Sequence, residues 1–292
     1  MIPRFLVERT MSLNVFGAPR TSRESVGVRT NLASEKDREF ETAFHTCGIW
    51  YLISHINHAC LSNCRRSFIG DMQIIRAARD MDEGTELFFW YQMPVSFQSY
   101  SEAQKKLRHW GFTCGCDICL ERKSVPKALV AKRTALKHEL QGIIGNTPER
   151  ISFAKALKAI QQLEQTYAAT AMKPGDVTFD LWEVYFAVSQ GYSEKGNRPE
   201  AIDMILKGLE ALGFVITACP RRGTAKLKKT ELTIVRWGVA SDLAVIAFIN
   251  LAQAYMGVAP ELSAAARKYA EIAYTIVVGE KETFLDTYPE LK

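Results

Sequence analysis

The chain has 292 residues, enough for one large domain or two ordinary ones, and its 47% hydrophobic and 24% charged content suits a globular protein with a sizeable core. Its net charge of +5 is spread evenly, with 16 basic and 14 acidic side chains in residues 1–124. That excludes a dedicated nucleic-acid binder, which gathers positive charge on one face.

In chain order, residues 1–16 are mixed apolar and read as a short helix or loop. Residues 17–42 are polar, with Gly, Pro and Ser, and read as a mobile loop. Residues 43–53 turn apolar. From 66 to 91, apolar, β-branched and aromatic runs are broken at Gly70-Asp71 and at Asp82-Glu83-Gly84. These breaks predict three short strands, near 66–69, 72–78 and 86–90. Residues 100–110 carry helical spacing, with Ser101 as N-cap. After Pro126 the helical period dominates and predicts helices over 127–142, 148–169, 178–195, 198–213, 231–256 and 260–279. The basic stretch 217–230 between two of them reads as an exposed loop.

Two stretches, 191–213 and 254–279, each place a tyrosine before a short break and a helix rich in small residues. Ala201 and Ala264 to Ala266 would let paired helices approach closely. The pattern is similar to the tetratricopeptide helix-turn-helix, with a plain helical bundle as the alternative.

No apolar run approaches the roughly 20 residues of a membrane span. The N-terminal MIPRFLVERT lacks the apolar block of about 7–15 residues that a secretory signal carries. The expected location is the nucleus or cytoplasm, where the seven cysteines are not expected to form disulfides. Three of them are packed into Cys114-Gly-Cys-Asp-Ile-Cys119, which points to metal binding. Cys114 and Cys116 are two apart, so in an extended segment both sulfurs project to one side. A turn after them brings Cys119 round. A tetrahedral zinc site needs a fourth ligand. Spacing alone leaves Cys47, Cys60, Cys64, Cys219, His45, His55, His58 and His109 as candidates.

Two further segments carry a family resemblance: Ser54-His-Ile-Asn57-His58-Ala-Cys60-Leu-Ser-Asn63 and Glu83-Gly84-Thr-Glu86-Leu87-Phe-Phe-Trp-Tyr91. They resemble, in order and spacing, the two C-terminal signatures of SET-domain protein lysine methyltransferases. The cysteine loop that follows looks like the post-SET motif. The whole arrangement is similar to fungal SET proteins with a tetratricopeptide-like C-terminal region.

The resemblance implies an α+β fold. A SET β-fold with a zinc-binding post-SET loop spans 43–124, an all-α region spans 125–292, and residues 1–42 form a poorly ordered segment or SET insertion. It implies that Cys60 joins Cys114, Cys116 and Cys119 on a structural zinc. It also implies that Asn57 and His58 contact S-adenosylmethionine, that Phe112 packs on its adenine, and that Tyr91 borders the lysine channel. The sequence departs from the family in four places. Ala59 stands for Ser, Ser62 for Pro and Trp110 for a second channel tyrosine, and no Gly-rich SET segment is seen before residue 54, so the chain is expected to hold the C-terminal part of the domain. The expected function is S-adenosylmethionine-dependent methylation of a histone or other protein, without direct nucleic-acid or membrane contact. The alternative is an inactive zinc-stabilised SET remnant that binds a protein partner through its helices.

Overall fold

The computed structural model describes residues 3–18, 46–145, 151–167, 174–217 and 232–291. Within them the chain is α+β: small two-stranded sheets in the first third, then a helical region. Helix α1 (Arg4–Asn14) leads into strand β1 (Phe16–Ala18), antiparallel to β2 (Thr46–Gly48). Residues 19–45, which hold most of the loop expected over 17–42 and also His45, lie outside the described residues.

Strand β3 (Asn57–His58) runs parallel to β6 (Phe88–Phe89), with Asn57 opposite Phe88 and His58 opposite Phe89. Between them in sequence, β4 (Cys64–Ile69) and β5 (Met72–Ala77) form a hairpin around Gly70-Asp71, where the sequence expected a turn. The strand expected over 86–90 shrinks to Phe88–Phe89. The reason is local. Asn63 donates from Nδ2 to the Glu86 carbonyl at 2.8 Å and accepts from the Phe88 N–H at 2.7 Å. A side-chain amide thus takes bonds that a neighbouring strand would otherwise make.

Helix α2 (Tyr100–Leu107) starts at Ser99, not at Ser101. The Ser99 hydroxyl accepts from the Glu102 N–H and the Glu102 carboxylate accepts from the Ser99 N–H, a reciprocal capping box. Only the serine three residues before the glutamate can close it. The helix tightens to a 3-10 turn at Arg108–Trp110 and ends at Gly111, whose φ of 77° turns the chain back. Helix α3 (Asp117–Ser124) begins inside the cysteine segment, where the sequence expected only a loop.

The helical region follows. It contains α4 (Lys127–Ile144), α5 (Phe153–Gln165), α6 (Phe179–Glu194), α7 (Arg198–Ala211), α8 (Asp242–Tyr255), α9 (Pro260–Val278) and the short α10 (Phe284–Thr287). The helix expected over 231–256 is shorter. Its β-branched start instead forms β8 (Thr233–Arg236), antiparallel to β7 (Val215–Thr217), and the helix begins only at Asp242. The expected helix 148–169 is present as Phe153–Gln165, with Thr166 and Tyr167 in a turn.

Helices α6 and α7 form one hairpin, α8 and α9 a second, and α7 packs on α8. Small residues line the seams, but not all those expected. Ala201, Ala266, Ala270 and Ala273 are fully buried, while Ala264 faces out. The spacing of 266, 270 and 273 places them on one helical face. No helix among the described residues is long and apolar enough to cross a membrane. The first and last thirds are joined where Arg76 donates from Nη2 to the Gly279 carbonyl at the end of α9.

Candidate functional site

Cys60, Cys114, Cys116 and Cys119 place their sulfurs within 4.8 Å of one another. Three elements bring them together. Cys60 follows β3, Cys114 and Cys116 sit on the extended segment after Gly111, and Cys119 lies in the first turn of α3. The Cys60 and Cys119 sulfurs are 3.6 Å apart. A tetrahedral ion with bonds of about 2.3 Å to sulfur sets its ligands about 3.8 Å apart, so the cluster can hold a metal. The four thiols hydrogen-bond to one another. Hydrogen bonding with Cys116, then Cys119, holds Cys114 below the ordinary thiol range. Hydrogen bonding with Cys114 pushes Cys60 and Cys119 above it. A bound metal replaces those protons.

Four of the other candidates for the fourth ligand are placed elsewhere. Cys47 is exposed, and Cys64 is buried outside the cluster. His55 donates from Nδ1 to the Tyr51 carbonyl at 2.8 Å, and His109 donates from Nε2 to the Ser12 carbonyl at 2.8 Å. Cys219 and His45 lie outside the described residues.

The buried His58 links the cluster to the neighbouring cleft. Its Nδ1 accepts from the Tyr91 N–H at 3.1 Å, which leaves the proton on Nε2, 3.6 Å from the Cys60 sulfur. The imidazole therefore points its Nε2 proton at the Cys60 sulfur while it holds the backbone of Tyr91. Two supporting residues carry no sequence signature. Gln104, on α2, accepts from the Cys114 N–H at 2.9 Å and donates to the Cys114 carbonyl at 3.3 Å and the Cys119 sulfur at 3.4 Å. Trp90 donates from its indole to the Cys60 carbonyl at 2.8 Å.

Beside the cluster lies a cleft of about 800 Å³, lined by Asn57, His58, Glu86, Tyr91, Trp110 and Phe112 among others. Its wall is aromatic: Tyr91 lies 5.3 Å from Trp110, 5.5 Å from His58 and 6.0 Å from Phe112, centroid to centroid. Asn57 is exposed at the rim and donates to the Glu86 carboxylate at 2.8 Å. The Tyr91 hydroxyl donates to the Ile56 carbonyl at 2.8 Å, and burial pushes its pKa up. It is a neutral phenol whose proton is already committed, with lone pairs left to accept. The four residues that the sequence singled out around this cleft, Asn57, His58, Tyr91 and Phe112, thus line one space.

Residues 19–92 match the SET domain family. Over 97% of its length the chain is 46% identical to a methyltransferase of Gibberella zeae, and it spans 38% of that relative. Over 25% of its length it is 37% identical to the human protein-lysine N-methyltransferase SMYD4, covering 9% of that protein. Over 30% of its length it is 31% identical to the histone-lysine N-methyltransferase SET5 of Eremothecium gossypii, covering 18% of it. The chain thus spans under half the length of the curated relatives it matches.

Proposed function

We propose that this SET-domain chain carries the catalytic cleft of an S-adenosylmethionine-dependent protein lysine methyltransferase. The observation that carries the reading is the convergence of Asn57, His58, Tyr91 and Phe112 on one aromatic cleft braced by the cysteine cluster. Its volume of about 800 Å³ lies in the range of sites that take a cofactor. When bound, S-adenosylmethionine supplies a methyl group on a positively charged sulfonium. Asn57 and Glu86 at the rim suit its polar end, and the Phe112 ring suits the flat adenine.

The chain's own residues then have separate roles. The walls of Tyr91 and Trp110 exclude water and confine the lysine side chain. The Tyr91 hydroxyl, its proton held by Ile56, accepts a hydrogen bond from the lysine amine and aligns it at near-attack distance. It is too weak an acid, after burial, to serve as a phenolate base. His58 is a positioning residue, because it holds the Tyr91 backbone and faces Cys60. The four cysteines suit a structural zinc, whose thiolate ligands would fix the segment bearing Phe112 over the cleft.

This arrangement favours an enzyme over an inactive zinc-stabilised SET remnant that binds a partner through its helices, because Asn57, His58, Tyr91 and Phe112 all line one cleft. We further propose that the helical hairpins are tetratricopeptide-like and bind protein, and that the protein works in the nucleus or cytoplasm on a histone or another protein. Titration calorimetry with S-adenosylmethionine, followed by transfer of labelled methyl to lysine peptides, tests the reading. The Tyr91→Phe variant should retain cofactor binding and lose methyl transfer by about 100-fold. A folded, zinc-loaded chain that binds no cofactor would sink the proposal for this polypeptide.

A further inference from the structure

Three side chains of the Arg, Lys, Asp and Glu types line the cleft: Arg79, Glu86 and Asp117. Arg79 follows β5 and is half-buried. Glu86 is exposed, two residues before β6. Asp117 is exposed at the start of α3.

One residue places the first two. Asn63 is 3% exposed and lines the cleft itself. Its main-chain carbonyl accepts from the Ala78 N–H at 2.8 Å, which fixes the backbone leading into Arg79. Its side-chain amide donates to the Glu86 carbonyl at 2.8 Å and accepts from the Phe88 N–H at 2.7 Å. Two segments thus hang on one buried asparagine, and each brings a charge of opposite sign to the same space.

The two charges do not pair with each other. Among the described residues, no hydrogen bond or ion pair engages the Arg79 side chain. The Glu86 carboxylate accepts from Asn57 at 2.8 Å and has no cation on it among the described residues. The isolation of Arg79 is costly. Burial, then the like charge of Arg236, holds its guanidinium below the usual range, and Asp117 offsets them in smaller part. Such a half-buried cation is stabilised by an anion that arrives with a ligand. Its planar fork of N–H groups fits a carboxylate with two parallel bonds.

The acid beside it says which carboxylate. An α-amino acid carries an ammonium and a carboxylate on one carbon. A site for it needs an acid and a base held near each other and unpaired, as Glu86 and Arg79 are. The count of charges also matches. S-adenosylmethionine carries two positive charges and one negative, and the cleft offers two carboxylates and one guanidinium.

We propose that Arg79 binds the carboxylate of the cofactor's methionine end while Glu86 takes its ammonium, so that the cleft selects S-adenosylmethionine by its whole amino-acid group. The assignment rests on the methyltransferase reading and deepens it. The product, S-adenosylhomocysteine, keeps that group, so the same pair holds the product.

The test is titration calorimetry on the intact chain with S-adenosylmethionine and with its decarboxylated form. The second ligand keeps the adenosine, the sulfonium and the amine and lacks only the carboxylate. The wild type should prefer S-adenosylmethionine. Arg79→Gln should cut that preference about tenfold, as one partly exposed charge-assisted pair would give. A residue that merely supported the fold would weaken both ligands alike. Glu86→Gln should weaken both and leave their ratio unchanged, because both carry the amine. Arg79 bonds to no described group, so Arg79→Gln should keep the wild-type circular dichroism spectrum. Should it fail to fold, Arg79→Lys, which keeps the charge and loses the fork, still has to show a reduced preference.

Equal binding of the two ligands by the wild type, or an unchanged preference in Arg79→Gln, would overturn the assignment. So would a ratio that stays fixed while KM rises for an acidic lysine peptide alone, since the carboxylate would then come from the substrate. Binding of neither ligand by the wild type is a different result: it removes the cofactor reading itself, and the assignment with it.

Discussion

Truncating Gln104 to alanine removes the group that orients two of the four cysteines. Its carboxamide makes three contacts: 2.9 Å from the Cys114 N–H, and 3.3 and 3.4 Å to the Cys114 carbonyl and the Cys119 sulfur. The two longer contacts share one nitrogen, so they count as little more than one bond. At about 1 kcal/mol for each net hydrogen bond, the loss comes to about 2 kcal/mol. That converts to roughly 30-fold in affinity for the metal. Loss of an outer partner to a metal ligand commonly costs about 10–100-fold, so two independent routes agree. The assay is competition for zinc against a chromophoric chelator, with Lys105→Ala, on the exposed side of the same helix, as control. Gln104→Ala should weaken zinc about 30-fold while Lys105→Ala leaves it unchanged. An unchanged affinity in Gln104→Ala, or an equal loss in the control, would refute the assigned role.

Other outcomes follow from the same contacts. Removing the metal with a chelator should melt α3, because a helix of eight residues is far below the length that is stable alone. Far-UV dichroism should fall and recover with added zinc, and an unchanged spectrum counts against the clasp. Asn63→Ala strands the Phe88 N–H and the Glu86 carbonyl and should cost about 2 kcal/mol in urea denaturation. Ser99→Ala opens the capping box of α2 and should cost about 1 kcal/mol. The Ser99 bonds hold Glu102 below the usual carboxylate range. A depressed folded pKa stabilises above the unfolded value and is lost as pH falls through the folded one. The gap between wild type and Ser99→Ala should therefore narrow on acidification, and a gap that widens contradicts the cap.

Much of the helical region could be read from the chain because helical periodicity is local. The expected 198–213 and 260–279 lie within two residues of the observed Arg198–Ala211 and Pro260–Val278. The failures fell where a tertiary partner outcompeted local preference. Asn63 displaced the ladder at residues 86–90. The β7–β8 pairing took the first residues of an expected helix. The cysteine segment gained α3 because bringing the Cys119 sulfur to the other three, in the first turn after Cys116, also starts the helix.

For the site, the sequence by itself determined the residue types: three cysteines at a spacing suited to a metal, the Asn57-His58 pair, and an aromatic strand ending in Tyr91. Those follow from chemistry that any short segment displays. Spacing left the fourth ligand open and the family resemblance named Cys60; the tertiary structure brings its sulfur to the other three and leaves Cys64 outside, because β3 and β4 point their cysteines into different surroundings. It alone revealed Gln104 as the brace and the proton bridge from His58 toward Cys60. It also paired the buried Arg133 with Glu121 and stacked it on Tyr167. Which charges are neutralised depends on partners that α3, α4 and α6 bring together from far along the chain, and spacing in one segment carries no record of them.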